Sequence, residues 1–173
     1  MRLVYLTPQT EEEMAPFVPW LSVLLETFPA SQRIPLSERE AFILGHVGYL
    51  TVPFLSDDLE SLPLGCFLVE LSKKSAEIHG ITRPDLKELI GRAAGPVIAS
   101  VGKKMLEVIF LDHEKSVAVA KVPTDSRGGL GFLRRWGFSP MRDANTGVKM
   151  DKGRRVYVLP RQKFLEKYCK GVC

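Results

Sequence analysis

The sequence predicts an α/β (α+β) fold in one domain over residues 1 to 173, and three observations carry that prediction. Hydrophobic periodicity changes along the chain in the order β, α, α, three β, α, β, α, ββ, an alternation that builds a sheet with crossover helices. The apolar run Ser116-Val-Ala-Val-Ala-Lys-Val122 has the length of a buried strand and feeds directly into a helix with a glycine stop. No linker, internal repeat or low-complexity segment interrupts the chain, and its length is enough to bury roughly 70% of the unfolded surface without a metal or a disulfide.

Arg2-Leu-Val-Tyr-Leu6 alternates as a first strand. Thr10 and Glu13 have capping-box spacing ahead of Met14, Phe17, Val18, Leu21, Leu24, Leu25 and Phe28, the stripe of an amphipathic helix. Pro16 and Pro19 lie inside that stripe, so the regular helix is expected to start near Pro19, where a missing amide costs nothing. A shorter helix is expected after Ser37, with Glu40 completing a second box. Three strands follow, Val47 to Leu55, Leu64 to Leu71 and Ala76 to Thr82, separated by Ser56-Asp-Asp-Leu-Glu-Ser61 and by a tight Ser72-Lys-Lys-Ser75 turn. They read as an antiparallel meander.

Pro84 opens a long helical pattern through Leu86, Ile90, Ala93, Val97, Val101, Met105 and Val108. Gly95-Pro96 is expected to kink or split it, since an interior proline costs ~3 kcal/mol. After the 116 to 122 strand and its helix, Met141 to Lys152 and Arg154 to Leu159 read as a closing hairpin around Asp151-Lys-Gly153.

The most informative stretch is Asp125-Ser-Arg-Gly-Gly-Leu-Gly-Phe-Leu-Arg-Arg-Trp-Gly-Phe138. Asp125 or Ser126 is placed to cap orphan amides, Leu130, Leu133 and Trp136 share one side, and Gly137 supplies the left-handed residue that ends the helix. Taken with the preceding strand, it resembles the strand, Asn-containing turn and "FYERLGF" helix near the end of the GCN5-related N-acetyltransferase (GNAT) superfamily. The order of elements resembles that fold over essentially the whole chain. The resemblance implies a mixed central sheet of about six to seven strands with helices on both faces. It also implies that the strand leaving the meander and the strand before the Gly-Phe helix run parallel and splay apart to admit coenzyme A.

Acetyl transfer from acetyl-CoA to a primary amine needs an anion site for the pyrophosphate, a base for the ammonium proton and often an acid for the thiolate. In the family the pyrophosphate sits on the amides of a Gln/Arg-x-x-Gly-x-Gly/Ala turn at a helix start. The corresponding stretch here runs from Ile81 to Ala94. Glu88-Leu-Ile-Gly91-Arg92-Ala93 keeps the Gly and Ala positions but has a carboxylate first, and a register starting at Lys87 restores a cation but puts Ile90 and Arg92 at the small positions. Residues 84 to 94 also read as the first turns of an amphipathic helix. The resemblance thus assigns Ile81, Lys87, Gly91, Arg92, Ala93 and Ser126 to the cofactor. Ser126 stands where many relatives have asparagine, and Leu133 holds the place of the tyrosine acid, which leucine cannot replace.

Glu77 and His79 are the candidate bases. They lie two apart on the strand before the phosphate turn, so they share a face, and a histidine near its ordinary pKa of about 6.5 takes a proton at neutral pH. The same residues also read as the polar face of a half-buried strand.

Net charge is +4, unevenly spread: residues 127 to 173 hold 12 Lys and Arg against 3 Asp and Glu, leaving 12 against 17 before them. Such a basic quarter suits a polyanion or is simply a solvated surface. It carries no nucleic-acid motif, so nucleic acid is not the expected partner. Arg127-Gly-Gly-Leu-Gly131 lacks the full spacing of a nucleotide loop. Asp112-His113-Glu114 and the dispersed His46 and His79 give no metal register, and no nucleophile elbow is present. Cys66, Cys169 and Cys173 form an odd set, and no signal peptide or membrane-length run is seen, so a cytoplasmic setting is expected. An alternative reading is an inactive structural module on the same fold, working through protein partners or self-assembly. It resembles the acetyltransferase-like proteins of tailed phages, including small internal virion proteins, which lose the glycine turn and reside in the host cytoplasm or the virion.

Overall fold

A computed structural model describes residues 4–6, 10–26, 34–44, 52–54, 65–82, 85–123, 127–141 and 154–169. β1 (Val4–Leu6) pairs antiparallel with β2 (Val52–Phe54), Tyr5 opposite Pro53. β3 (Gly65–Leu71), β4 (Ser75–Thr82), β5 (Val117–Pro123), β6 (Ser139–Pro140) and β7 (Arg154–Pro160) form a second sheet in the order β3-β4-β5-β7-β6. It is mixed: β5 is parallel to β4 and antiparallel to β7.

The expected single sheet of six to seven strands is therefore a five-stranded sheet and a separate pair among the described residues. Pro53 in β2 has no amide to donate, which suits a strand paired along one side rather than one inside a meander. The β3–β4 hairpin is as expected, closed by the Ser72 amide donating to the Ser75 carbonyl at 2.8 Å. β6 is short and precedes the expected Met141 to Lys152 strand, of which residues 142 to 152 lie outside the described residues.

The chain packs as two compact units, Met1–Val69 with Gly80–Val97, and Glu70–His79 with Ile98–Cys173. In the first, Thr10 caps α1 (Glu11–Met14), its hydroxyl accepting from the Glu13 amide at 3.2 Å. Thr10→Ala is expected to lower stability by about 1 kcal/mol, read as a lower urea midpoint at unchanged slope. The single turn of α1 leads through a 3-10 turn (Ala15–Phe17) into α2 (Val18–Leu25), so the regular helix starts beside Pro19, as expected, with one capped turn ahead of it. Pro16 falls in the first turn of the 3-10 segment, where the missing amide is harmless. α3 (Leu36–Leu44) begins before Ser37, where the Pro35 carbonyl accepts from the Glu38 amide. Met14, Leu21, Leu25 and Ile43 are fully buried, and the buried Arg39 is compensated by Glu26 at 2.7 Å and the Ile34 carbonyl at 3.0 Å.

The long helical pattern does break, though not at Gly95-Pro96. α4 (Leu86–Ile90) stops at Gly91, whose φ of 55° lies in the left-handed region. A 3-10 turn (Gly91–Ala93) then leads into α5 (Ala94–Glu107). Gly95 and Pro96 fall in the first turn of α5, the one place where a proline interrupts no hydrogen bond.

In the second unit, two rows of side chains cross one face of the sheet. Ala76, Ala118 and Leu159 form one, Ile78, Ala120 and Tyr157 the other, and all are nearly or fully excluded from solvent. α5 continues into a π-helical turn (Val108–Asp112), followed after β5 by α6 (Arg127–Trp136). α6 buries Leu133 and Trp136 and half-buries Leu130, the expected stripe. It ends at Gly137 (φ 100°), with the Phe138 amide donating to the Leu133 carbonyl and the Gly137 amide to that of Arg134, the two bonds of a glycine C-cap. The Trp136 indole lies over Gly102 of α5 and donates to the Ala99 carbonyl at 3.2 Å.

α7 (Arg161–Tyr168) was not expected from the sequence. It is seated by Phe164, fully buried with its ring 4.9 Å from that of Phe110. Lys167 Nζ and, at 3.5 Å, the Tyr168 hydroxyl donate to the Arg135 carbonyl near the end of α6. Burial raises the Tyr168 phenol above its ordinary value, so it remains a donor.

Candidate active site

Three polar side chains meet on the second unit's sheet. The β4–β5 ladder runs from Ser75↔Val117 to Ile78↔Ala120 and ends there, while β5 continues against β7 as far as Pro123↔Arg154. Glu77 lies opposite Val119, so the same parallel count sets His79 level with Lys121, one step past the last pair. At period two, all three point to one face.

Lys121 Nζ is 2.9 Å from Glu77 Oε2, and His79 Nε2 is 3.9 Å from Glu77 Oε1. Side-chain exposures of 15% for Lys121, 23% for Glu77 and 27% for His79 make this a sheltered group rather than a solvated polar face. A carboxylate held between an ammonium and an imidazole is equipped to steady the charge that appears when the imidazole takes a proton. Lys121 escaped the sequence analysis, although it is the single charged residue of its strand, Val-Ala-Val-Ala-Lys-Val-Pro.

The residues expected to hold the cofactor are placed as follows. Gly91 is the left-handed residue at the end of α4, Arg92 and Ala93 complete the 3-10 turn, and α5 opens at once. This departs from an uninterrupted amphipathic helix over 84 to 94. Lys87 is exposed on α4 and its carbonyl accepts from the Gly91 amide. A Cβ built on Gly91 meets nothing within 4 Å, so the space beside its backbone is open. Of the two registers, the one starting at Glu88 has its glycine where the left-handed backbone occurs. Ile81 lies on β4 and Ser126 falls outside the described residues.

Leu133, at the position of the family's tyrosine, is 5% exposed and serves packing. Gly128 and Gly131 lie within α6, and the space at a Gly131 Cβ is open, so no close backbone approach explains that glycine. Among the described residues no group of three His, Cys, Asp or Glu side chains comes together as a metal site. None of their helices is long and apolar enough to cross a membrane.

No family model and no curated protein sequence matches the chain. Solved structures do. An acetyltransferase from Agrobacterium tumefaciens str. C58 superposes with a TM-score of 0.66 at 14% identity, over 91% of this chain and 90% of that one. An acetyltransferase of the GNAT family from Streptococcus pneumoniae gives 0.59 at 15% identity, over 92% and 99%. Campylobacter jejuni N-acetyltransferase PseH, solved in complex with acetyl coenzyme A, gives 0.59 at 14% identity, over 92% and 99%. The chain therefore has the mixed α/β fold of these GNAT-family proteins. At such identities the likeness concerns the fold, and the chemistry has to be argued from the side chains.

Proposed function

We propose that this protein is an acetyl-CoA-dependent N-acetyltransferase of the GNAT superfamily, acting on a primary amine carried by a small molecule or a protein. The observation that supports this reading is the coincidence, on this fold, of the end of the β4–β5 ladder with Glu77, His79 and Lys121. In the proposed reaction His79 takes the proton of the acceptor ammonium, and the freed nitrogen attacks the thioester carbonyl. The C–N bond forms, the C–S bond breaks, and the nitrogen gives up its second proton to solvent as the amide forms. The coenzyme leaves as a thiolate that takes one proton back from solvent, so the net proton released is the one His79 first accepted. Glu77 steadies the imidazolium.

The amide turn at Gly91 to Ala93 is assigned to the pyrophosphate, with Lys87 and Arg92 as its cations; Ile81 and Ser126 are assigned to the coenzyme on the family resemblance alone. Its support is the left-handed Gly91 immediately before a 14-residue helix, whose N-terminal amides and dipole favour an anion. A carboxylate at Glu88 weakens this assignment less than its sequence position suggests, since the side chain is exposed and free to point into water.

Incubation with acetyl-CoA and a set of primary amines (a polyamine, an α-amino acid, an amino sugar and a lysine peptide) tests the reading by release of the coenzyme thiol. Acetylation of at least one amine is expected. Thiol release indistinguishable from the uncatalysed rate with every amine, in a protein that also fails to bind acetyl-CoA, leaves a non-catalytic protein on this fold, whose partner would then be sought by pull-down.

A further inference from the structure

We propose that Lys121 is a positioning residue of this site: its ammonium tethers the Glu77 carboxylate so that it steadies His79 without closing on it. The inference rests on the acetyl-transfer reading above. A lysine only 15% exposed, on a strand otherwise made of Val, Ala and Pro, is costly unless its charge is paired. Its pairing with Glu77 Oε2 at 2.9 Å is a charge-assisted bond, whereas Glu77 Oε1 stays 3.9 Å from His79 Nε2, too far for a hydrogen bond. The carboxylate is thus anchored by one oxygen and held off the imidazole by the other.

Among the described residues of the sheet, the charged groups on the face of His79 are Glu77 from its own strand, Lys121 from β5, Glu70 from β3 and, further along, Arg154 from β7, whose pair Pro123 lies two residues beyond Lys121. The Ser72–Ser75 turn sets Glu70 opposite Glu77, and Glu70 is exposed. Glu77 is the nearest of these carboxylates for which a distance to the imidazole is fixed. Without Lys121, its side chain is free to rotate onto His79 and hold the proton there. An imidazole that retains its proton is a poor base at neutral pH. Lys121 touches no reacting atom in this scheme and acts entirely through Glu77.

Spectra of ¹⁵N-histidine-labelled protein, with the three histidines assigned by single substitutions, report the titration midpoint of His79 without acetyl-CoA or acceptor. Lys121→Met is expected to raise that midpoint by about one pH unit. Lys121→Arg, which can still hold the carboxylate, is expected to restore it. In a Glu77→Gln background Lys121→Met is expected to move the midpoint far less than it does in the wild type, since only the ammonium's direct repulsion is then lost. In turnover with an amine the protein acetylates, Lys121→Met is expected to lower kcat by about ten- to a hundredfold with KM for acetyl-CoA unchanged.

A midpoint unmoved by Lys121→Met, or a rise that persists in full without Glu77, overturns the assignment. Should Lys121→Met not fold, Lys121→Gln takes its place with the same expectations, and Glu77→Gln, expected to lower the midpoint, checks the coupling of carboxylate and imidazole by itself; no change in either variant overturns the proposal. Shifted midpoints in a protein that transfers no acetyl group would sink the acetyl-transfer reading and leave the coupling itself established.

Discussion

The His79→Ala protein is expected to bind acetyl-CoA as the wild type does and to transfer acetyl groups about 10²- to 10⁴-fold more slowly, the usual contribution of a general base. Binding survives because the assigned pyrophosphate turn, Gly91 to Ala93, belongs to a different stretch of chain from the polar cluster. Glu77→Gln is expected to reduce the rate less than His79→Ala, since it removes the group that steadies the base and leaves the base in place. Steady-state rates and calorimetry on the same preparations check both statements. A larger loss with Glu77→Gln than with His79→Ala would transfer the role of base to the carboxylate.

The largest expected effect on stability comes from adding a single methyl group. Gly102→Ala places a Cβ 2.6 Å from Trp136 Cη2 and closer still to Cζ2 and Cε2. The indole cannot yield easily: it is 4% exposed and its Nε1 is bonded to the Ala99 carbonyl at 3.2 Å. Displacing it breaks that bond and leaves a buried donor unsatisfied. The expected loss is about 3 kcal/mol, at the upper end for overpacking, measured by urea unfolding. Trp136→Phe in the Gly102→Ala background is expected to recover part of it, because the smaller ring leaves room for the methyl. Near wild-type stability for Gly102→Ala would show that the α5–α6 contact is looser than described.

The Gly-Phe helix was legible in advance because its signals are local: a stripe of Leu130, Leu133 and Trp136 and a terminal Gly137 state both the helix and its end. The hairpin at Ser72–Ser75 and the cap at Thr10 were legible for the same reason. The break at Gly91 was not, because glycine and proline both interrupt helices and only the backbone shows which one does. Pro96 could be absorbed in a first turn, whereas Gly91 took the left-handed conformation. α7 was overlooked because eight residues with Phe164 as the main apolar anchor give little periodicity, and its position depends on Phe110, far away in sequence.

That Glu77 and His79 share a face could be read from their spacing. Their partner Lys121 could not, since it arrives from a parallel strand whose register no local pattern encodes. The sheet's division into a pair and a five-stranded body is likewise a matter of long-range pairing.

Isothermal calorimetry of the purified protein with acetyl-CoA, with Gly91→Glu as the control, tests the central claim most directly. Micromolar binding is expected for the wild type. Gly91→Glu should abolish it, because the substitution forces a side chain onto a left-handed backbone and places a negative charge at the turn assigned to the pyrophosphate. No heat at millimolar acetyl-CoA, or binding that is indifferent to Gly91→Glu, would contradict the account.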